Sequence, residues 1–223
     1  VNTYNRVDLL KRFIDDVQQK STNDHVDFFV FDDASTHDYT PIKMHVVAYK
    51  KCKQHHGRER YWELIQHGIR EIKKKSTNYD YFIKTDDDML IVPNFFTLVK
   101  EYVKDISCDK SWVTLDILSV PRQRGRTLIG NPAEKKQGSH KYFRIQWVDM
   151  NFVFRPKLFP DEIGPCKSSK ASSGVGLWLT RYFQKQKLNM YQTSQSLLLH
   201  GNHKSQMNRE ERKKHPLITK EDR

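Results

Sequence analysis

Short apolar runs rich in Val, Ile, Phe and Tyr alternate with amphipathic runs of helical period along this chain, and that alternation constrains its fold more than any other feature. A short first strand opens at Asn2, with only Val1 before it. Val7, Leu10, Phe13, Ile14 and Val17 then recur at helical spacing, with Asn5 and Asp8 as a candidate N-terminal cap. Residues 26–31 (VDFFVF) predict a strand ending at the polar turn Asp32-Asp33-Ala34-Ser35-Thr36, and residues 44–49 predict another. Tyr61, Leu64, Ile65, Ile69 and Ile72 mark a helix opening near Gly57, after which the strand 79–84 runs into Thr85-Asp86-Asp87-Asp88. A helix around 95–103, a strand at 112–118, a Gly-, Pro-, Lys- and Gln-rich loop at 125–141 and a long strand at 143–154 follow. Ser172 or Ser173 would cap a last helix carrying Leu177, Trp178, Leu179, Tyr182 and Phe183, and a strand at 196–199 leads to His200 and a charged tail. Such alternation predicts one α/β domain, a mainly parallel central sheet flanked by helices, with no internal repeat and no linker. The missing initiator Met suggests a piece of a longer protein.

The 223 residues fill one domain, and 37% apolar with 12% aromatic residues exclude collagen-like, low-complexity and disordered classes. Lys plus Arg exceed Asp plus Glu by 39 − 27 = 12, a balance that attracts phosphate-bearing substrates, nucleic acids or anionic surfaces. The basic residues, however, fall in scattered runs (Lys50, Lys51 and Lys53; 73–75; Lys135 and Lys136; 209–214), which read as solvated ends rather than a binding stripe. No apolar run approaches the roughly 18 residues of a membrane span, and no signal peptide is visible. Cys52, Cys108 and Cys166 form no CxxC pair, which argues against a disulfide framework or zinc cage and for a reducing, cytoplasmic compartment.

The chemistry concentrates at three places. Asp86, Asp87 and Asp88 repel one another unless a cation or a set of donors sits among them. At the carboxyl edge of a parallel sheet they form an oxygen-rich site suited to Mn²⁺ or Mg²⁺. The alternative is a solvated acidic turn, but apolar segments on both sides pin the triplet between buried elements. Asp32-Asp33 with Ser35 ends another strand; an Asp there accepts from a ribose hydroxyl or base N–H, or closes a turn. Asn2-Thr3-Tyr4-Asn5-Arg6 gathers hydroxyl, aromatic and guanidinium groups fit to surround a base and a phosphate, although Arg6 reads equally as a surface residue.

VNTYNR, FFVFDDAST, the helix from Gly57 and FIKTDDDMLIVP, in that order, resemble the successive motifs of GT-A-fold nucleotide-sugar glycosyltransferases in the style of family 2. The resemblance spans roughly residues 1–100 and resumes weakly at WVDMNFVFRP and LLLHGNHKS. It implies a Rossmann-like GT-A sandwich, with 1–110 as the nucleotide-sugar-binding half, 111–200 as the acceptor side and 201–223 as a mobile basic tail. It also implies metal-dependent transfer of a sugar from a nucleoside diphosphate, UDP first, to a hydroxyl of a glycan or glycoprotein. Thr3 and Tyr4 would line the base with Arg6 nearby; Asp33 would take the base or ribose, and Arg58 and Asp86 would reach the nucleotide. Asp87 would face the donor sugar and diphosphate, Asp88 and His200 would hold the Mn²⁺ or Mg²⁺ ion, and Lys204 and Ser205 would fold over the diphosphate.

An inverting transferase needs a carboxylate to take the acceptor's proton, and the family often places it at the start of a late helix. Here that start reads Ser172-Ser173-Gly174-Val175-Gly176, without an acid. Asp149 is the candidate base instead, on a strand where Trp147, Asp149 and Asn151 would share a face and form a sugar-contacting row. Asp161 and Glu162, beside Pro160, read as an ordinary turn. Two other classes compete: a basic nucleic-acid-binding domain, and another metal-dependent phosphotransfer enzyme or nuclease. Three adjacent acids serve no nucleic-acid binder, and a nuclease would want acids spaced for two metals.

Overall fold

The computed structural model describes residues 1–21, 24–75, 77–118, 141–167 and 173–199, with the backbone of His200. β1 (Asn2–Thr3), β2 (Phe29–Asp32) and β3 (Ala48–Lys51) form a parallel sheet in the order β1-β2-β3. Between β1 and β2 the predicted stripe becomes α1 (Val7–Lys20), which buries Leu10, Phe13, Ile14 and Val17. The cap is not the expected one: α1 starts after Arg6 without a side-chain cap. Asn5 sits at φ 51°, and its Oδ1 accepts from the Thr36 N–H at 2.7 Å, tying the start of the chain to the turn after β2. The strand expected at 44–49 begins later, at Ala48, because α2 (Thr40–Lys43) takes up the preceding residues and leaves Met44 and Val47 exposed.

α3 (Tyr61–Lys75) leads to β4 (Phe82–Lys84), and a single parallel bridge between Asn2 and Asp86 sets β1 beside the end of β4. β5 (Met89–Ile91) leaves this layer and later pairs antiparallel with β10 (Leu198–His200). Between them run α4 (Phe95–Ile106), β6 (Trp112–Asp116), β7 (Tyr142–Ile145), β8 (Phe152–Phe154), α5 (Val175–Lys185) and β9 (Asn189–Thr193). The second sheet has the order β4-β8-β6-β9-β7. β6 and β9 are parallel, whereas β8 runs against both β4 and β6, and β7 against β9. The sheet is therefore mixed rather than mainly parallel. The long strand expected at 143–154 is broken in two, β7 on an edge and β8 in the centre, and β8 enters from the irregular segment 146–151 rather than from a helical crossover. No helix among the described residues is long and apolar enough to cross a membrane.

Alternation along the strands, shifted on β6 by an irregularity between Trp112 and Thr114, feeds two cores, one on each face. Val30, Leu115 and Val153 pack with Leu10, Ile14, Val99 and Tyr102 from α1 and α4. Phe31, Val113, Phe152 and Phe154 pack with Leu64, Ile69, Leu179 and Phe183 from α3 and α5. Each such large side chain contributes about 1.5–3 kcal/mol by leaving water. α5 begins on Gly174 at φ 80°, not on the expected serines, of which Ser172 lies outside the described residues. A Cβ on Gly176 would stand 2.8 Å from the Val148 carbonyl oxygen, so glycine there lets segment 146–151 lie directly on the helix start. The predicted loop 125–140 and the tail 201–223 lie outside the described residues.

The strand directions bring the carboxyl ends of β1, β2, β4, β6 and β9 to one edge. Thr3 to Arg6, Asp33, the Asp triplet and Asp116 all gather there.

Candidate active site

The triplet turns from β4 into β5, and its three acids have different surroundings. Asp86 is the most open; its side chain is 33% exposed and accepts from Lys84 Nζ at 2.6 Å. Asp87 is 2% exposed, accepting from Thr3 Oγ1 at 2.7 Å and pairing with Arg6 Nη1 at 3.0 Å. Asp88 is 4% exposed and takes the same Nη1 at 3.0 Å. Arg6 is thus no surface residue. It lies between two buried carboxylates, its backbone N–H donates to Tyr39 at 3.0 Å, and its Nε is buried without a hydrogen bond among the described residues.

Burial works against the Arg6 charge, but Asp87 and Asp88 outweigh it and hold the pKa above its ordinary value. Burial likewise opposes the Lys84 ammonium, and Asp86 and Tyr61 reverse the effect. At Asp87 the balance goes the other way: burial pushes the carboxyl up to about 7, against the pull of Arg6 and Thr3. A carboxyl raised from 3.8 to about 7 contributes stability that is fully present below pH 3.8 and is lost as pH rises through about 7. Wild type should therefore lose stability relative to Asp87→Asn across that window in metal-free urea titrations. Parallel pH profiles for the two proteins would contradict the assignment.

Three acids face two cations here, hard-oxygen donors of the kind Mn²⁺ or Mg²⁺ prefers, while among the described residues the donor atoms that converge within 4.8 Å of one another are those of Asp33, Cys52 and His56. The β5–β10 ladder places His200 opposite Met89, so its backbone runs beside the residue that follows Asp88. Lys204 and Ser205 lie outside the described residues.

Beside the triplet stands a second group. Asp32 and Asp33 point apart, as consecutive residues at a strand end do. Asp32 is buried and structural, accepting from the Ser35 N–H at 2.9 Å and the Tyr49 hydroxyl at 2.5 Å. Asp33 holds the loop before α3: its carboxylate accepts from the N–H groups of His56 at 2.9 Å and Gly57 at 3.1 Å. His56 Nδ1 lies 2.6 Å from Oδ1, and His55 Nδ1 lies 2.9 Å from Oδ2. Tyr4 stacks on His55 with ring centroids 3.9 Å apart, and Arg58 follows in the next turn. Thr3, expected to line a base, is 4% exposed and bonded to Tyr39 and Asp87, so its hydroxyl orients the triplet instead.

The expected row of Trp147, Asp149 and Asn151 is absent, because these residues lie in the irregular segment rather than on one strand. Asn151 is 4% exposed and accepts from Thr85 Oγ1 at 3.0 Å, which makes it a support beneath the triplet rather than an open acceptor contact. Trp147 is half-buried next to Gly176. Asp149 Oδ1 accepts from the Met150 N–H at 2.8 Å, and Val148 N–H bonds Thr180 Oγ1 at 3.0 Å, so Asp149 stands where its segment meets the start of α5. Sequence reasoning missed Lys84, Cys52, His55, His56 and the fully buried Asp116 at the end of β6. The paired histidines just before Gly57 were the one available signal.

No family profile matches the chain, and no curated protein matches it.

Proposed function

We propose that this α/β protein is a metal-dependent glycosyltransferase with a GT-A-type arrangement, moving a sugar from a nucleoside diphosphate, UDP first, to a hydroxyl of a glycan or glycoprotein. The observation that carries the reading is the triplet of acids at the carboxyl edge of the sheet, two of them buried around one guanidinium. Asp88 and His200 would hold the divalent ion. When bound, that ion supplies charge neutralisation for the departing nucleoside diphosphate. Thr3 and Arg6 fix Asp87, and Lys84 fixes Asp86, so the donor meets acids already oriented. Tyr4 and Arg58 would face the nucleotide, and Asp33 acts through the loop before α3, which bears Arg58 and the His55 ring that Tyr4 stacks on.

Asp149 is the base in this reading. Its segment lies against the start of α5, the place where the family often keeps its acid. Asp149→Asn keeps the shape and removes the basicity, so transfer should fall by about 10²-fold with donor and metal binding unchanged. Near-normal transfer would reassign the base.

The competing nucleic-acid reading is weakened by where the basic runs spend their charge: Lys50 and Lys74 on Glu71, Lys73 on Asp161, and Arg70 on Glu162. The experiment that separates the readings is thermal melting with Mn²⁺ and UDP. Together they should stabilise more than either alone, by about 2.7 kcal/mol when the ligand is held near 100 times its Kd. A protein insensitive to both but strongly stabilised by DNA would replace this proposal with the binding-domain one.

A further inference from the structure

Asp33 follows β2, Cys52 follows β3 and His56 sits in the loop before α3, yet one carboxylate oxygen, Sγ and imidazole nitrogen from these three lie within 4.8 Å of one another. We infer that Asp33, Cys52 and His56 form a binding site for a divalent transition ion of the zinc class, separate from the Asp triplet, sharing Asp33 with the proposed nucleotide pocket but not requiring sugar transfer. The donor set decides the class: sulfur, imidazole nitrogen and one carboxylate oxygen suit a borderline-soft ion in tetrahedral coordination. The triplet, all hard oxygen, suits Mn²⁺ or Mg²⁺ instead.

The surroundings are those of a built site. His56 turns Nδ1 toward Asp33 and Nε2 toward Glu63, whose Oε2 is 3.6 Å away. Arg60 holds Glu63 in turn, at 2.5 Å from Nε and 2.6 Å from Nη2. A carboxylate on the far nitrogen fixes a ligating imidazole's orientation and raises its basicity. The ligands also sit on fixed backbone: Cys52 N–H bonds the Asp32 carbonyl at 2.8 Å, Asp33 N–H bonds the Thr3 carbonyl at 3.0 Å, and His56 N–H bonds Asp33 itself at 2.9 Å. Cys52 is half-buried.

On binding, the Cys52 thiol would release its proton to solvent and His56 would ligate as the neutral imidazole with its proton on Nε2, the ion taking the place of the short His56–Asp33 contact. Water completes the fourth position. Cysteine spacing alone argued against a zinc cage because it looks for paired thiols, whereas here one thiol meets ligands from two other segments. The ion would stitch the ends of β2 and β3 to the loop bearing His55 and Arg58.

The test is a Co²⁺ titration of the full chain, reduced and stripped by chelator. One equivalent should give a thiolate-to-cobalt charge-transfer band in the near ultraviolet together with tetrahedral visible bands, and Zn²⁺ should displace both. Cys52→Ser should remove the charge-transfer band, while Cys108→Ser and Asp88→Ala should keep it. Glu63→Gln should weaken Co²⁺ binding by about 10-fold or more without removing the band. No charge-transfer band in wild type, or one that survives Cys52→Ser, would overturn the site. Neither result bears on donor turnover, which is read separately.

Discussion

Asp88→Ala is expected to leave a folded protein whose turnover of a nucleotide-sugar donor falls by about 10³-fold and is not restored by excess Mn²⁺. The variant loses one acid from a cluster of three, and Arg6 keeps its 3.0 Å pairing with Asp87, so like-charge repulsion falls while the guanidinium stays neutralised. The fold has no reason to fail. Turnover should, because the ion proposed to neutralise the leaving diphosphate would lose its carboxylate. A lost stabilisation of about 4 kcal/mol corresponds to about 10³-fold in rate. His200→Ala removes one neutral ligand among several and should weaken metal affinity with a smaller loss of rate. Donor hydrolysis in chelator-buffered Mn²⁺, with melting curves on the same samples, measures both. Wild-type turnover in both variants would remove the two metal assignments.

Arg6→Met is expected to have the largest effect on stability, about 3–5 kcal/mol at neutral pH, because it strips the guanidinium from two buried carboxylates and leaves their charge uncompensated. Methionine keeps much of the volume, so lost packing is a small part of the cost. The pH dependence identifies the cause. Asp87 is already pushed up to about 7 with Arg6 present, and burial without Arg6 raises it further. Both proteins lose the Asp87 contribution alike up to about pH 7, and the variant, with the higher Asp87 pKa, goes on losing it above, so its deficit should widen from neutral to alkaline pH. Mn²⁺ should recover part of it by putting positive charge back among the acids. Urea titrations at neutral and alkaline pH decide the matter; a deficit independent of pH would mean that Arg6 acts through packing alone.

The helices were legible because their stripes are long. Leu10, Phe13, Ile14 and Val17, like Leu64, Ile65 and Ile69, read as buried faces and are buried. The triplet was legible for a related reason: apolar residues on both sides leave three acids nowhere to go but the sheet edge. The first strand at Asn2 was legible too, but the strand at 143–154 was not: its alternation runs across a break that only pairing partners define, β9 for one half and β4 and β6 for the other. Arg6 could not be told from a surface residue because its role depends on the bridge from Asn2 to Asp86, a contact that no local pattern encodes. Asp33 shows the same limit. Its place after a strand was readable, but its engagement with His55, His56 and Gly57 follows from how the loop before α3 closes back over β2.

The central claim is that the Asp triplet serves sugar transfer from a nucleoside diphosphate, and the most direct measurement is a screen of nucleotide sugars for metal-dependent donor hydrolysis by the full chain. The account predicts release of a nucleoside diphosphate from at least one donor, UDP-sugars first, with Mn²⁺ present, and its loss on chelation and in Asp88→Ala. No release from any donor with Mn²⁺ or Mg²⁺, from a folded protein, would contradict it.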